Sequence, residues 1–219
     1  TWGWNEHSKT KKGFLFRKLN ANKNRGTNIA LMIRLMMPNL RTHDMYEELE
    51  KEFEDDYKLV KGFKKEIKDN LEIKLHPGDG KFYNFETRSR WLNEFRDIKL
   101  NETKISFDKY KNNKKLIIFN HESTGFLQLI NINYPTLLVL RNFDFQIDDQ
   151  YKKYYKYLIN SKILHLNNES LTSHLNEVWP NLDQWWNSNN TQINLKKFVE
   201  KFANNKDSSP KDLQKILLG

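Results

Sequence analysis

The sequence predicts a doubly wound α/β fold on one parallel sheet, and three observations carry that expectation. Apolar runs of strand length recur along the chain, at residues 28–37, 116–119 and 136–140. Segments with helical periodicity lie between them. Strand is followed by helix again and again, which is the order that lays strands in parallel and covers both faces with helices.

Residues 1–27 read as a linker or the tail of a preceding domain, basic and polar around a small Phe14-Leu15-Phe16 island. One domain, 28–219, follows. Its first strand is the run NIALMIRLMM at 28–37, interrupted only by Arg34 and ended by Pro38, as suits a strand buried on both faces. From Asp44 onward, Tyr46, Leu49, Phe53, Tyr57, Val60, Phe63 and Ile67 recur at steps of three and four, defining one face of a long helix. Asp44 and Glu47 have capping-box spacing, and acids early with lysines late suit the helix dipole. The acidic run 50–56 reads as a solvated face of that helix.

Residues 71–75 (LEIKL) form a short strand that enters the turn His76-Pro77-Gly78-Asp79-Gly80. Residues 81–95 are aromatic, basic and partly helical, and 97–100 make a further short strand. The stretch 116–140 then holds a complete βαβ unit: strand, polar turn His121-Glu122-Ser123-Thr124-Gly125, helix, Pro135 and a second strand. A tyrosine-rich helix (150–159) and a strand (162–166) follow. The remainder is helical: 170–178 opening at Ser170 as cap, 182–186 with the packing pair Trp185-Trp186, 193–202, and a last short helix beyond Ser208-Ser209-Pro210.

Composition bounds the function. Lys and Arg number 37 against 28 Asp and Glu, a net charge of +9 that favours anionic partners, although Lys-, Asn- and Ile-rich coding produces some of that excess by itself. There is no cysteine, so disulfides, thiol nucleophiles and cysteine zinc sites are excluded. No apolar run reaches the ~18–20 residues of a membrane span, and the expected location is the cytoplasm, peripheral to the inner membrane. The chain begins Thr1-Trp2-Gly3-Trp4 rather than with Met or a signal region, so a piece of a longer protein with an N-terminal domain elsewhere is expected. Neither GxxxxGK[ST], GxGxxG nor GxSxG occurs, which withdraws support from P-loop, standard dinucleotide and α/β-hydrolase readings.

Three groups of residues could hold an anion. In the polar turn, Ser123 and Thr124 can cap the next helix while Gly125 lets a ligand approach its amides; a plain helix cap explains them equally. His76, at the end of a strand in the same sheet, could donate to a phosphate or sit in an ordinary Pro-Gly turn. Arg88 and Arg90 offer forked donors beside Trp91, or pack amphipathically at the sheet's edge.

The stretches Trp2-Gly3-Trp4, 71–91, LIIFNHESTGFLQLININYPTLLV and KILHLNNESLTSHLNEVWPNLDQWWNS together resemble the C-terminal half of a bacterial family of surface-carbohydrate-biosynthesis transferases, first noted in a leptospire. The resemblance implies the Rossmann-like C-terminal domain of a GT-B-like glycosyltransferase, holding a nucleotide-sugar donor as substrate with no cofactor and no metal. His76, Ser123, Thr124 and Gly125 would surround the donor diphosphate, with Arg88, Arg90, His121, Glu122 and Gln128 completing the site. Three positions depart from the family: Gln128 stands where a Glu is usual, Lys74 where an Arg is, and Gly125 where a second Thr is. The implied partners are the donor, a saccharide or lipid-linked saccharide acceptor and an acidic membrane face, with no nucleic acid. The alternatives are polyol-phosphate transfer from a CDP-alcohol on the same fold, or a basic nucleic-acid-binding or non-catalytic interaction domain.

Overall fold

In a computed structural model, residues 19, 25–32, 44–76, 86–103 and 105–202 are described. Six strands form one all-parallel sheet: β1 (Asn28–Met32), β2 (Leu71–Lys74), β3 (Lys99–Asn101), β4 (Lys114–Phe119), β5 (Thr136–Val139) and β6 (Leu164–His165). Their spatial order is β3-β2-β1-β4-β5-β6. That is the doubly wound Rossmann order, whose strand sequence reverses direction between β1 and β4.

Alternation along each strand sorts side chains to two faces. Ile29, Leu31, Ile73, Leu116, Ile118, Leu137 and Val139 enter one core, which is roofed by α1 (Asp44–Gly62), α3 (Thr87–Glu94) and α8 (Asn168–Val178). Ala30, Ile117, Phe119, Leu138 and Leu140 enter the other, beneath α4 (Phe107–Lys111), α5 (Thr124–Asn131), α7 (Asp149–Asn160) and α10 (Asn189–Phe202). Burial on both faces is why β4 and β5 read as unbroken apolar runs. Each fully buried residue of this kind contributes roughly 1.5–3 kcal/mol.

β2 departs from that pattern. Leu71 and Ile73 face the first core, while Glu72 and Lys74 face the second, where Lys114 Nζ reaches Glu72 Oε1 at 2.8 Å and lies over the Tyr110 ring. The pair reaches across β1, where Ala30 is in register with Glu72 and Asn28 with Lys114. The LEIKL alternation is thus a strand with one apolar face and one buried ionic face.

Several boundaries differ from the sequence expectation. The helix expected to continue to Ile67 ends at Gly62 and resumes as α2 (Lys65–Asp69). Asn176 of α8 causes the break, its amide donating to the Gly62 carbonyl at 3.0 Å and accepting from Lys64 N at 2.8 Å. The cap of α8 is Asn167 rather than Ser170: its side chain accepts from Ser170 N at 2.8 Å. Trp185 and Trp186 pack, as expected, on α9 (Leu182–Trp186), and Trp186 Nε1 donates to Asn133 Oδ1 at 2.9 Å. A 3-10 turn, Trp179–Asn181, precedes α9, and a short α6 (Phe143–Gln146) precedes α7. The expected strand residues 33–37, Pro38, the turn residues Pro77 to Gly80, the Trp2-Gly3-Trp4 motif and the last short helix lie outside the described residues.

Candidate functional site

The topology decides where a crevice lies. The chain leaves β1 toward the α1 layer and leaves β4 toward the α5 layer, so the connections part at the carboxyl ends of β1 and β4, the place where open α/β sheets bind ligands. The polar turn predicted from the sequence stands there. Phe119 ends β4, residues 120–123 turn, and Thr124 opens α5.

Ser123 is the N-cap of α5, its Oγ accepting from Phe126 N at 3.2 Å. The cap is real, and it satisfies one of the four amides that a helix start leaves without an intrahelical partner. The amides of Thr124 and Gly125 are others of those four, and the helix dipole points its positive end along them. A Cβ at Gly125 would lie in ordinary contact, 3.4 Å, with both the Phe107 and the Phe119 rings. Gln128, one turn further along α5, is half-buried on the same side of the helix as Thr124.

Beside the cap, Glu122 accepts a hydrogen bond from the Tyr155 hydroxyl of α7. Burial pushes its carboxyl up to about 7. His121 contacts the edge of the Phe119 ring, and its Nδ1 lies 2.8 Å from Asn120 Oδ1.

Beneath the turn runs a network that the sequence reading did not find. Asn120 Nδ2 donates to Asp56 Oδ2 at 2.8 Å, and Arg141 Nη2 donates to Asp56 Oδ1 at 2.8 Å. Arg141 Nε donates to Asn168 Oδ1 at 2.9 Å, and Asn168 Nδ2 to the Asp55 carbonyl at 2.6 Å. Residues just behind β4, β5 and β6 are thereby tied to α1. Asp56 is 1% exposed, which corrects the reading of 50–56 as a wholly solvated face. Burial raises its carboxyl pKa, while Arg141 and Asn120 pull it back. The signal was available: Asp56 follows Phe53 by three and precedes Val60 by four, on the apolar face of the helix.

The remaining expected site residues stand apart from the turn. His76 follows β2 by two residues and is exposed at the same edge, with β1 between it and β4, a lateral separation of ~10 Å. Arg88 pairs with Glu102 at 2.9 Å behind β3, ~14 Å from β4 by the same spacing. Arg90 pairs with both oxygens of Glu50 at 2.7 and 2.8 Å and lies over the Phe53 ring, fastening α3 to α1. Trp91 is buried against Tyr57 and Phe95. The structure therefore gathers His121 to Gly125 and Gln128, leaves His76 two strands away along the same edge, and engages both arginines in ion pairs. Among the described residues no three His, Asp or Glu side chains gather as a metal site, and no helix is long and apolar enough to cross a membrane.

The sequence matches the LIC12162 family of transferases over residues 1–217. The chain belongs to this family. No curated protein matches it in sequence. Among solved structures, a protein assigned as a UDP-N-acetylglucosamine 2-epimerase from Listeria monocytogenes is similar with a TM-score of 0.43 and 15% identity, over 78% of this chain and 43% of that one. The wall teichoic acid polymerase TagF is similar with a TM-score of 0.43 and 12% identity, over 91% of this chain and 44% of that one. The LIC12162 family chain thus spans less than half the length of either structure.

Proposed function

We propose that this transferase-family chain is the donor half of a glycosyltransferase that builds surface polysaccharide, and that the turn from His121 to Gly125 holds the diphosphate of a nucleotide-activated sugar. One observation carries the reading: the Ser123-capped start of α5 opens at the β1/β4 switch point of a sheet in Rossmann order. The amides of Thr124 and Gly125, the Ser123 and Thr124 hydroxyls and His121 supply donors to phosphate oxygens without needing a lysine loop. Gln128 is positioned to accept from a sugar hydroxyl, and His76 serves the far end of the ligand.

In the reaction so read, an acceptor hydroxyl attacks the anomeric carbon, the bond from that carbon to the diphosphate oxygen breaks, and the acceptor's proton passes to a base. The chain's part is to position the donor and to stabilise the charge that develops on the leaving diphosphate. The acceptor, a saccharide or lipid-linked saccharide, and the base belong to a domain facing this one. The +9 charge suits a cytoplasmic protein that works against the anionic inner face of the membrane.

Calorimetry tests this directly, with UDP, GDP, CMP and CDP as probes. The double variant Ser123→Ala, Thr124→Val should lose at least about tenfold in affinity for the nucleotide that binds, as expected on removing two hydrogen bonds. Unchanged affinity, or no binding by the wild type of any of the four, overturns the reading. Binding of an oligonucleotide with a steep salt dependence would instead favour a nucleic-acid partner.

A further inference from the structure

We infer that Asn120 and Asp56 are positioning residues that fix the tautomer of His121, keeping the proton of the neutral imidazole on Nδ1 and making Nε2 the nitrogen that exchanges a proton with a ligand at the turn. Only the last clause rests on the donor-site reading. The tautomer itself follows from the hydrogen-bond chain.

The logic runs outward from the interior. Arg141 is a permanent cation, and with its guanidinium 2.8 Å from Asp56 Oδ1 it holds that side chain as a carboxylate. A carboxylate only accepts. The Asn120 group 2.8 Å from Asp56 Oδ2 is therefore its NH2, which sends the amide oxygen to the other side. That oxygen lies 2.8 Å from His121 Nδ1. Since an amide oxygen also only accepts, Nδ1 must carry the hydrogen.

An unconstrained imidazole favours Nε2–H, so the network reverses the ordinary preference. In the neutral ring Nε2 then offers a lone pair. On protonation it becomes a charge-assisted donor suited to a phosphate oxygen. Asn120 touches the histidine rather than the ligand, and Asp56 of α1 acts on the ring through Asn120.

Long-range 1H–15N NMR on histidine-labelled protein reads the tautomer without any ligand. The His121 signals are those lost in His121→Gln. At about pH 8, above the ordinary histidine range, the wild type should show Nδ1–H as the major tautomer, the ratio moved roughly five- to tenfold toward it from the unconstrained ring, the worth of about one hydrogen bond. Asn120→Ala should return the ring to mainly Nε2–H. A wild-type spectrum dominated by Nε2–H overturns the inference without recourse to a variant. So does a folded Asn120→Ala protein that keeps Nδ1–H. Because the spectrum is recorded without nucleotide, failure of the probes to bind overturns the donor-site reading and leaves the tautomer result standing.

Discussion

Asp56 on α1 and Arg141 behind β5 meet at 2.8 Å with the carboxylate fully enclosed, so the layer of α1 is fastened to the carboxyl edge of the sheet by a buried ion pair. Removing one partner of such a pair leaves the other buried and uncompensated. Asp56→Ala is expected to cost about 3–5 kcal/mol in urea unfolding. Replacing both, Asp56→Leu with Arg141→Met, should recover most of the loss. A single variant within about 1 kcal/mol of wild type would mean the pair fastens nothing.

His165 and His174 give the fold an acid limit. Their rings stack at 5.4 Å, His174 packs on Trp185 at 4.7 Å with neither ring nitrogen hydrogen-bonded, and burial lowers both pKa values to about 4. The unfolded chain therefore binds more protons than the folded one between about pH 4 and 6.5. Stability should be complete above pH 6.5 and fall through that window. His174→Phe should flatten the fall and be neutral or stabilising at pH 7, since it removes unpaired buried nitrogens. Urea midpoints measured from pH 7.5 to 4.5 check both statements, and an unchanged acid slope in His174→Phe would assign it elsewhere.

Glu122 has the opposite linkage. Its folded value of about 7 lies above the unfolded one, so its contribution is present at low pH and is lost as pH rises from about 4.5 to 7. A diphosphate at the neighbouring cap would raise that value further. Nucleotide binding near pH 7 should therefore take up a fraction of a proton, visible as a calorimetric enthalpy that changes with buffer ionisation enthalpy. Affinity should decline as pH rises above 7, and Glu122→Gln should diminish both effects.

Ser123→Asp separates helix cap from ligand site. Aspartate caps as well as serine, so the unfolding free energy should stay within about 0.5 kcal/mol, whereas Ser123→Ala should lose about 1 kcal/mol. A negative charge at the proposed diphosphate site should nevertheless abolish nucleotide binding. Retention of wild-type affinity by Ser123→Asp would leave Ser123 with its capping role only.

Gly26, two residues before β1, meets the residue that precedes β4. A Cβ on it would sit 2.0 Å from the Asn113 carbonyl oxygen, a backbone atom with no rotamer to yield. Gly26→Ala is expected to destabilise by at least about 2 kcal/mol, the scale of overpacking. A wild-type thermal midpoint would contradict that contact.

The parts of the fold legible in the sequence were those whose burial is one-sided or complete. α1 announces itself through one stripe, and β4 and β5 through unbroken apolar runs that two covered faces require. The βαβ turn was legible for a local reason, since Ser123 caps a helix within three residues of itself. What stayed hidden is long-range. The end of α1 is set by Asn176, 114 positions from Gly62, and the partner of Asp56 stands 85 positions away at Arg141. Nor could the sequence tell that Arg88 and Arg90 would spend their charge on Glu102 and Glu50. A charge's vocation is decided by what the fold brings beside it, and only Asp56's place on the apolar stripe hinted at that.

The strand order also limits what mutation can alter. A crevice between β1 and β4 exists because the connections leaving these two neighbouring strands run to opposite faces, not because of any side chain that lines it. Substituting every polar residue of the turn would change the chemistry of the gap without closing it. The side chains at the gap can therefore change at little structural cost, whereas losing the gap itself would take a rethreading of the chain.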